Sequence, residues 1–188
     1  DWAILKRLNM STAVTMAMGD ALAVIYENVV GLTEGSFASN HPGGTLGKTL
    51  VMKVRDLMWS ADECPMLNKK SVLKDVILAM TRKPVGGCAI VDNQKNKKLM
   101  GILVEGDIRR TFTRKNQGLD TCVLDIMNNH PVSVGPDELA YRALELMEKR
   151  KGQISILPVV DNGNENQQRF LGFIRLHDLL KEGFFLGR

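Results

Sequence analysis

The feature that most constrains this chain is that it repeats itself. Val54-Arg-Asp-Leu-Met58 returns as Val123-Leu-Asp-Ile-Met127, and Val91-Asp92, closing an apolar run, returns as Val160-Asp161. Gly101-Ile-Leu-Val-Glu-Gly-Asp107 returns as Gly172-Phe-Ile-Arg-Leu-His-Asp178. The offsets are 69, 69 and 71 residues, so the order is kept and one loop has grown. That loop is 162–169, polar and rich in Asn and Gln, where insertions cost little. A unit of this size buries too little core to stand alone, so the two copies are expected to pack against each other.

Each copy has the same coarse pattern. Residues 71–82 place Val72, Leu73, Val76, Ile77 and Met80 on one face at helical spacing. Residues 137–150 do so with Leu139, Ala140, Ala143, Leu144 and Met147, behind an acidic Pro136-Asp137-Glu138 start that suits a first helical turn. Short apolar runs at 88–91, 99–104, 154–160 and 170–174 predict strands, and further short helices begin near Glu105 and Leu176. The predicted order is strand, helix, strand, strand, helix, twice, an α/β (α+β) architecture.

Composition narrows the function classes. The chain has 188 residues, 44% apolar and 24% charged, as a globular domain does. Its net charge of +4 is spread along the chain and aromatics make up only 5%, which argues against a nucleic-acid surface. Cys64, Cys88 and Cys122 form no CxxC pair, and the three histidines lie at no zinc-ligand spacing to them, so no metal site is expected. Reduced thiols in a cytoplasmic protein are the expectation. The sequence also reads as lacking a run of about 20 apolar residues and a signal peptide, so no membrane partner is expected.

The repeated pattern resembles a tandem CBS (cystathionine-β-synthase-type) domain pair over about 130 residues. The expected boundaries are 51–118 for the first CBS unit and 119–188 for the second. The resemblance implies adenine nucleotides (AMP or ATP) as possible regulatory ligands in clefts between the halves. In nucleotide-binding members a strand runs into Gly, two apolar residues, Thr or Ser, two more residues and Asp. The carboxylate can accept from a ribose diol and the hydroxyl can serve a phosphate. Here the carboxylates are Asp107 and Asp178, but Val104 and Arg175 hold the hydroxyl positions. Arg175 is a good phosphate partner and Val104 is none. Asp178 with Arg175 is therefore the leading candidate site and Asp107 the second. The alternative for either Asp is a favourable charge at a helix start. Arg109 and Arg110 are expected on a solvated face, Cys88 and Pro158 in packing.

Residues 11–30, STAVTMAMGDALAVIYENVV, read as a helix apolar on nearly all sides, and such a helix belongs inside a core. Gly19 within it suggests close approach of another backbone. Then comes Ser39-Asn-His-Pro-Gly-Gly-Thr-Leu-Gly-Lys48, a tight loop that presents His41. Taken alone, it reads as a turn.

GDALAV at 19–24, Phe37 and HPGGTLGK at 41–48, joined to a CBS pair, resemble the C-terminal portion of the KpsF/GutQ-type D-arabinose 5-phosphate isomerases. Glu105-Gly-Asp-Ile-Arg-Arg110 and His177-Asp-Leu-Leu180 add to the likeness; residues 1–10 depart from it. The resemblance implies that 1–50 is a helical remnant and linker of a sugar-isomerase (SIS) domain. It also implies an aldose–ketose isomerisation of D-ribulose 5-phosphate and D-arabinose 5-phosphate, feeding synthesis of the acid sugar Kdo and lipopolysaccharide. Such chemistry needs a base, an acid and a phosphate cradle. Of the family's active-site residues only the histidine carries over, as His41, a catalytic candidate. The family's lysine, glutamates and phosphate loop are not in this sequence, so the chain by itself is expected to be inactive. No cofactor is required by this reading; the sugar phosphate is the substrate of the complete enzyme, and a homo-oligomer, dimer or tetramer, is expected. Two other readings stay open: a free-standing CBS regulatory protein that binds adenine nucleotides, and a purely structural CBS pair.

Overall fold

The computed structural model describes residues 2–31, 51–93, 95–113, 118–149, 152–161 and 168–185, with side chains described from residue 11 onward. The chain divides into two units, 1–50 and 51–188. In the first, α1 (Trp2–Val30) is one continuous helix that begins well before the apolar run. Its apolar side chains, Val14, Met18, Leu22 and Ile25 among them, are exposed. Gly19 meets nothing within 4 Å among the described residues. By length and composition Ser11–Val30 is apolar enough to cross a membrane, with mean hydropathy 1.3, which corrects the expectation that no stretch reaches that length. Thr15 and Gly19-Asp20 interrupt the run without breaking its apolar character. Asp20 near its middle is a costly residue for a lipid span, and buried helices of soluble proteins meet the same criterion.

In the second unit the predicted helices and strands appear nearly where the periodicity put them, except that the leading strand of the second copy is reduced to a single parallel bridge of Val134 to Val159. In chain order they are β1 (Trp59–Ser60), β2 (Met66–Asn68), α2 (Leu73–Arg82), β3 (Gly87–Val91), β4 (Leu99–Val104) and α3 (Glu105–Phe112). They continue with α4 (Ala140–Glu148), β5 (Ile156–Val160), β6 (Phe170–Arg175) and α5 (Leu176–Lys181). The two matching stretches Val54–Asp56 and Val123–Asp125 are both single 3₁₀ turns. Helix α2 starts later than expected because Val72 is extended and its N–H is held by the Asp75 carboxylate at 3.0 Å. Helix α4 likewise starts at Ala140, after the acidic residues meant for its first turn. Glu138 instead accepts the Gly135 N–H at 2.7 Å, and Asp137 pairs with Lys53 at 3.3 Å and with Arg55. Leu139, expected on the buried face, sits before the helix and is 42% exposed.

Among the described residues two three-stranded sheets form, ordered β2-β3-β4 and β1-β6-β5. The second sheet takes its edge strand from the first repeat: Trp59 pairs with Phe173 and Ser60 with Gly172, antiparallel. The exchange is mutual. Asn128, from the second repeat, bridges Ile102 in the first sheet, with N–H···O bonds of 2.9 Å both ways. Just upstream, Lys53 bridges Leu139 while Cys122 bridges Val72. Val54 is accordingly buried among Ala140, Leu144, Leu157 and Ile174 of the second half. Its counterpart Val123 is buried among Leu73, Val76 and Leu103 of the first. Each such valine adds about 1.5 kcal/mol by leaving water. Between the sheets a third cluster holds Ala89, Val91, Ile102, Phe170 and Phe173, the two rings edge to face at 4.9 Å. The halves therefore share three cores and cannot separate without exposing all of them.

Candidate functional site

The two candidate carboxylates lie at matching places, each on the first turn of a short helix, Asp107 after the edge strand β4 and Asp178 after the central strand β6. Their surroundings differ. Asp107 does what an acid at a helix start does: Oδ2 accepts the Val104 N–H at 3.0 Å, and Oδ1 accepts from Arg110 at 2.5 Å. The Arg110 side chain is 64% exposed and can swing away from that pair. Val104 contributes only an apolar wall.

Around Asp107 a cleft of about 280 Å³ opens between the exchanged segment and the sheets. Its apolar walls include Ile102, Val104, Val132, Ile154 and Ile156, and its polar groups are Asp107, Arg110, Asn128, His130, Gln153 and Ser155. Strand β4 supplies one wall, helix α3 the charged pair, and the approach to β5 the amide and hydroxyl. The composition suits a small molecule with a flat apolar part and an anionic end.

At the matching place in the second repeat, Asp178 accepts three bonds, two on Oδ2 and one on Oδ1. Arg175 grips it in bidentate fashion, Nε to Oδ2 at 2.6 Å and Nη2 to Oδ1 at 2.8 Å. The Trp59 indole N–H donates to Oδ2 at 2.8 Å, and the guanidinium lies 4.6 Å from the centre of the Trp59 ring. The Arg175 guanidinium holds the Asp178 carboxyl below the usual carboxylate range, partial burial opposes this, and the indole N–H adds to it. Sequence reasoning placed Arg175 beside Asp178 but missed Trp59, which lies 119 positions away and arrives through the strand exchange.

A further cavity of about 310 Å³ lies between 61–66 and α2, and none of Trp59, Arg175 and Asp178 lines it. Its Lys83 is already committed, donating to the carbonyl oxygens of Asp62 and Cys64. Burial pushes the Cys64 thiol up to about 11 and the Cys88 thiol up to about 12, so both are packing groups. Pro158 sits in the fully buried strand β5. Among the described residues no cluster of His, Cys, Asp and Glu could hold a metal ion. His41 lies outside the described residues.

The family model for the CBS domain matches residues 123–184. Over 173 residues the sequence is 38% identical to arabinose 5-phosphate isomerase KdsD of Salmonella typhimurium, covering 92% of this chain and 50% of that protein. The chain thus spans about half the length of the curated relatives it matches. Among solved structures, AcuB from Vibrio cholerae is 26% identical with a TM-score of 0.57, over 70% of this chain and 89% of that one. A CBS domain protein from Pyrobaculum aerophilum, complexed with AMP, is 20% identical with a TM-score of 0.57, over 68% and 90%. The chain has the fold of a tandem CBS domain pair and is similar in sequence, over nearly all its length, to about half of arabinose 5-phosphate isomerase KdsD.

Proposed function

We propose that this chain is the regulatory part of a D-arabinose 5-phosphate isomerase and that its CBS pair senses an adenine nucleotide, held in the cleft at Asp107. The observation that carries this reading is the cleft itself, which sets an acceptor, a mobile cation and apolar walls around one open space. Asp107 accepts one bond on each oxygen and keeps a second lone pair on each for a ribose diol. Arg110 is exposed and free to turn from Asp107 to a phosphate. A volume of about 280 Å³ lies at the small end of ligand pockets and favours a monophosphate over a triphosphate. The AMP-bound relative of the same fold supports the ligand class.

This reading reverses the ranking expected from sequence, because Asp178 accepts three bonds from Arg175 and Trp59, while Asp107 accepts two, one of them from an exposed arginine, and lines an open cleft. His41 is the catalytic candidate of the complete enzyme, acting on a sugar phosphate, and the CBS pair serves the homo-oligomer expected for it. Calorimetry with AMP on the 188-residue chain tests the ligand. Arg110→Ala and Asp107→Ala should each weaken binding by roughly ten- to a hundredfold, as loss of a charge-assisted bond does. If AMP and ATP leave the chain unbound at millimolar concentration, the purely structural reading of the pair replaces this one.

A further inference from the structure

The repeat makes the two candidate clefts equivalent by descent, and the side chains make them unequal. Trp59 and Asn128 are counterparts: each enters the opposite sheet as the exchanged residue, opposite Phe173 and Ile102 respectively. Asn128 lines the open cleft beside Asp107. The Trp59 indole lies over the Arg175 guanidinium and bonds to Asp178. We infer that the chain holds one ligand, at Asp107, and that Trp59 is the plug that closes the second cleft; the identity of the ligand rests on the reading above.

Three groups close that cleft by satisfying one another. A ligand competing for Asp178 would have to displace two guanidinium bonds and one indole bond, and would also lose the stacking of Arg175 on the ring. By the repeat offsets, the neutral donors Gln153 and Ser155 and the imidazole of His130 in the first cleft correspond to Pro84, Gly86 and Ala61 in the second. Arg110 corresponds to Lys181, and Pro131 and Val132 correspond to the acidic Asp62 and Glu63, which would repel an anion. The two carboxylates are about equally exposed, but Asp107 accepts two bonds and lines an open cleft, while Asp178 accepts three and ties the exchanged strand to α5.

Two measurements test the inference, one of them without any ligand. Calorimetric titration with AMP should give one site per chain, lost in Asp107→Ala and retained in Trp59→Phe, which keeps the ring in place. Two sites per chain, or one that survives Asp107→Ala and disappears in Asp178→Ala, would overturn it. In a Trp2→Phe background, acrylamide should quench Trp59 several-fold less in the otherwise unaltered chain than in Arg175→Ala. Equal quenching in the two means that Trp59 plugs nothing and sinks the inference whether or not AMP binds. Absence of AMP binding together with a shielded Trp59 removes the nucleotide reading alone and leaves the plug standing.

Discussion

Gly101 and Gly172, counterparts 71 residues apart, are each pressed by the backbone of the strand exchanged from the other half. A Cβ on Gly101 would lie 2.6 Å from the Asn128 carbonyl oxygen, and one on Gly172 would lie 1.9 Å from that of Trp59. The glycine that opens each repeated motif therefore serves close backbone approach across the exchange, and no turn is involved. Gly172→Ala should destabilise the unit by about 3 kcal/mol or more, since a peptide group and not a flexible side chain must move. Gly101→Ala should cost less, because part of its contact is with the Met127 side chain. Urea denaturation of both variants measures the order; equal stability to the parent would show that the strand exchange tolerates displacement.

The Asp178 carboxyl is held below its ordinary range, chiefly by Arg175. A carboxylate depressed in the folded state contributes stability above its unfolded value, and that contribution is lost as pH falls through the folded one. Asp178→Asn should lower stability by about 2 kcal/mol at neutral pH. The gap should close on acidification from about pH 4 downward. A gap that widens in acid would reverse the assignment of this carboxylate as charged.

Thiol labelling should follow burial. Cys64 and Cys88 are buried with raised thiol values of about 11 and about 12, while Cys122 is partly exposed. Iodoacetamide at mildly alkaline pH should modify Cys122 first and leave the other two until denaturant is added. Mass spectrometry of the digested protein reads this directly, and early labelling of Cys88 would contradict its place in the first-half core.

Leu139 and Leu144 looked alike in the periodic pattern and differ in the fold. Leu144 is fully buried and Leu139 is 42% exposed. Leu144→Ala should cost about 2–5 kcal/mol, as buried leucines do. Leu139→Ala should stay near 0.5 kcal/mol, the range of surface changes. Thermal denaturation of the pair separates them.

The repeat, the helical and strand spacings and the Gly-to-Asp motif determined much of this protein unaided. They gave the number of units, the order of elements within each apart from the leading strand of the second, most of the buried face of α2 and α4, and the two carboxylates at the starts of α3 and α5. These are local properties, set by periods of 3.6 and 2 and by charge at helix ends. What only the tertiary structure decided is which half each opening segment joins. Val54 and Val123 stand in nearly the same local sequence, so either could dock on either core, and no local signal distinguishes the two pairings. The exchange brings Trp59 to Asp178 and Asn128 to the cleft at Asp107. It thereby decides which carboxylate is fastened and which faces open space, because an open site depends on long-range contacts that a sequence pattern does not carry.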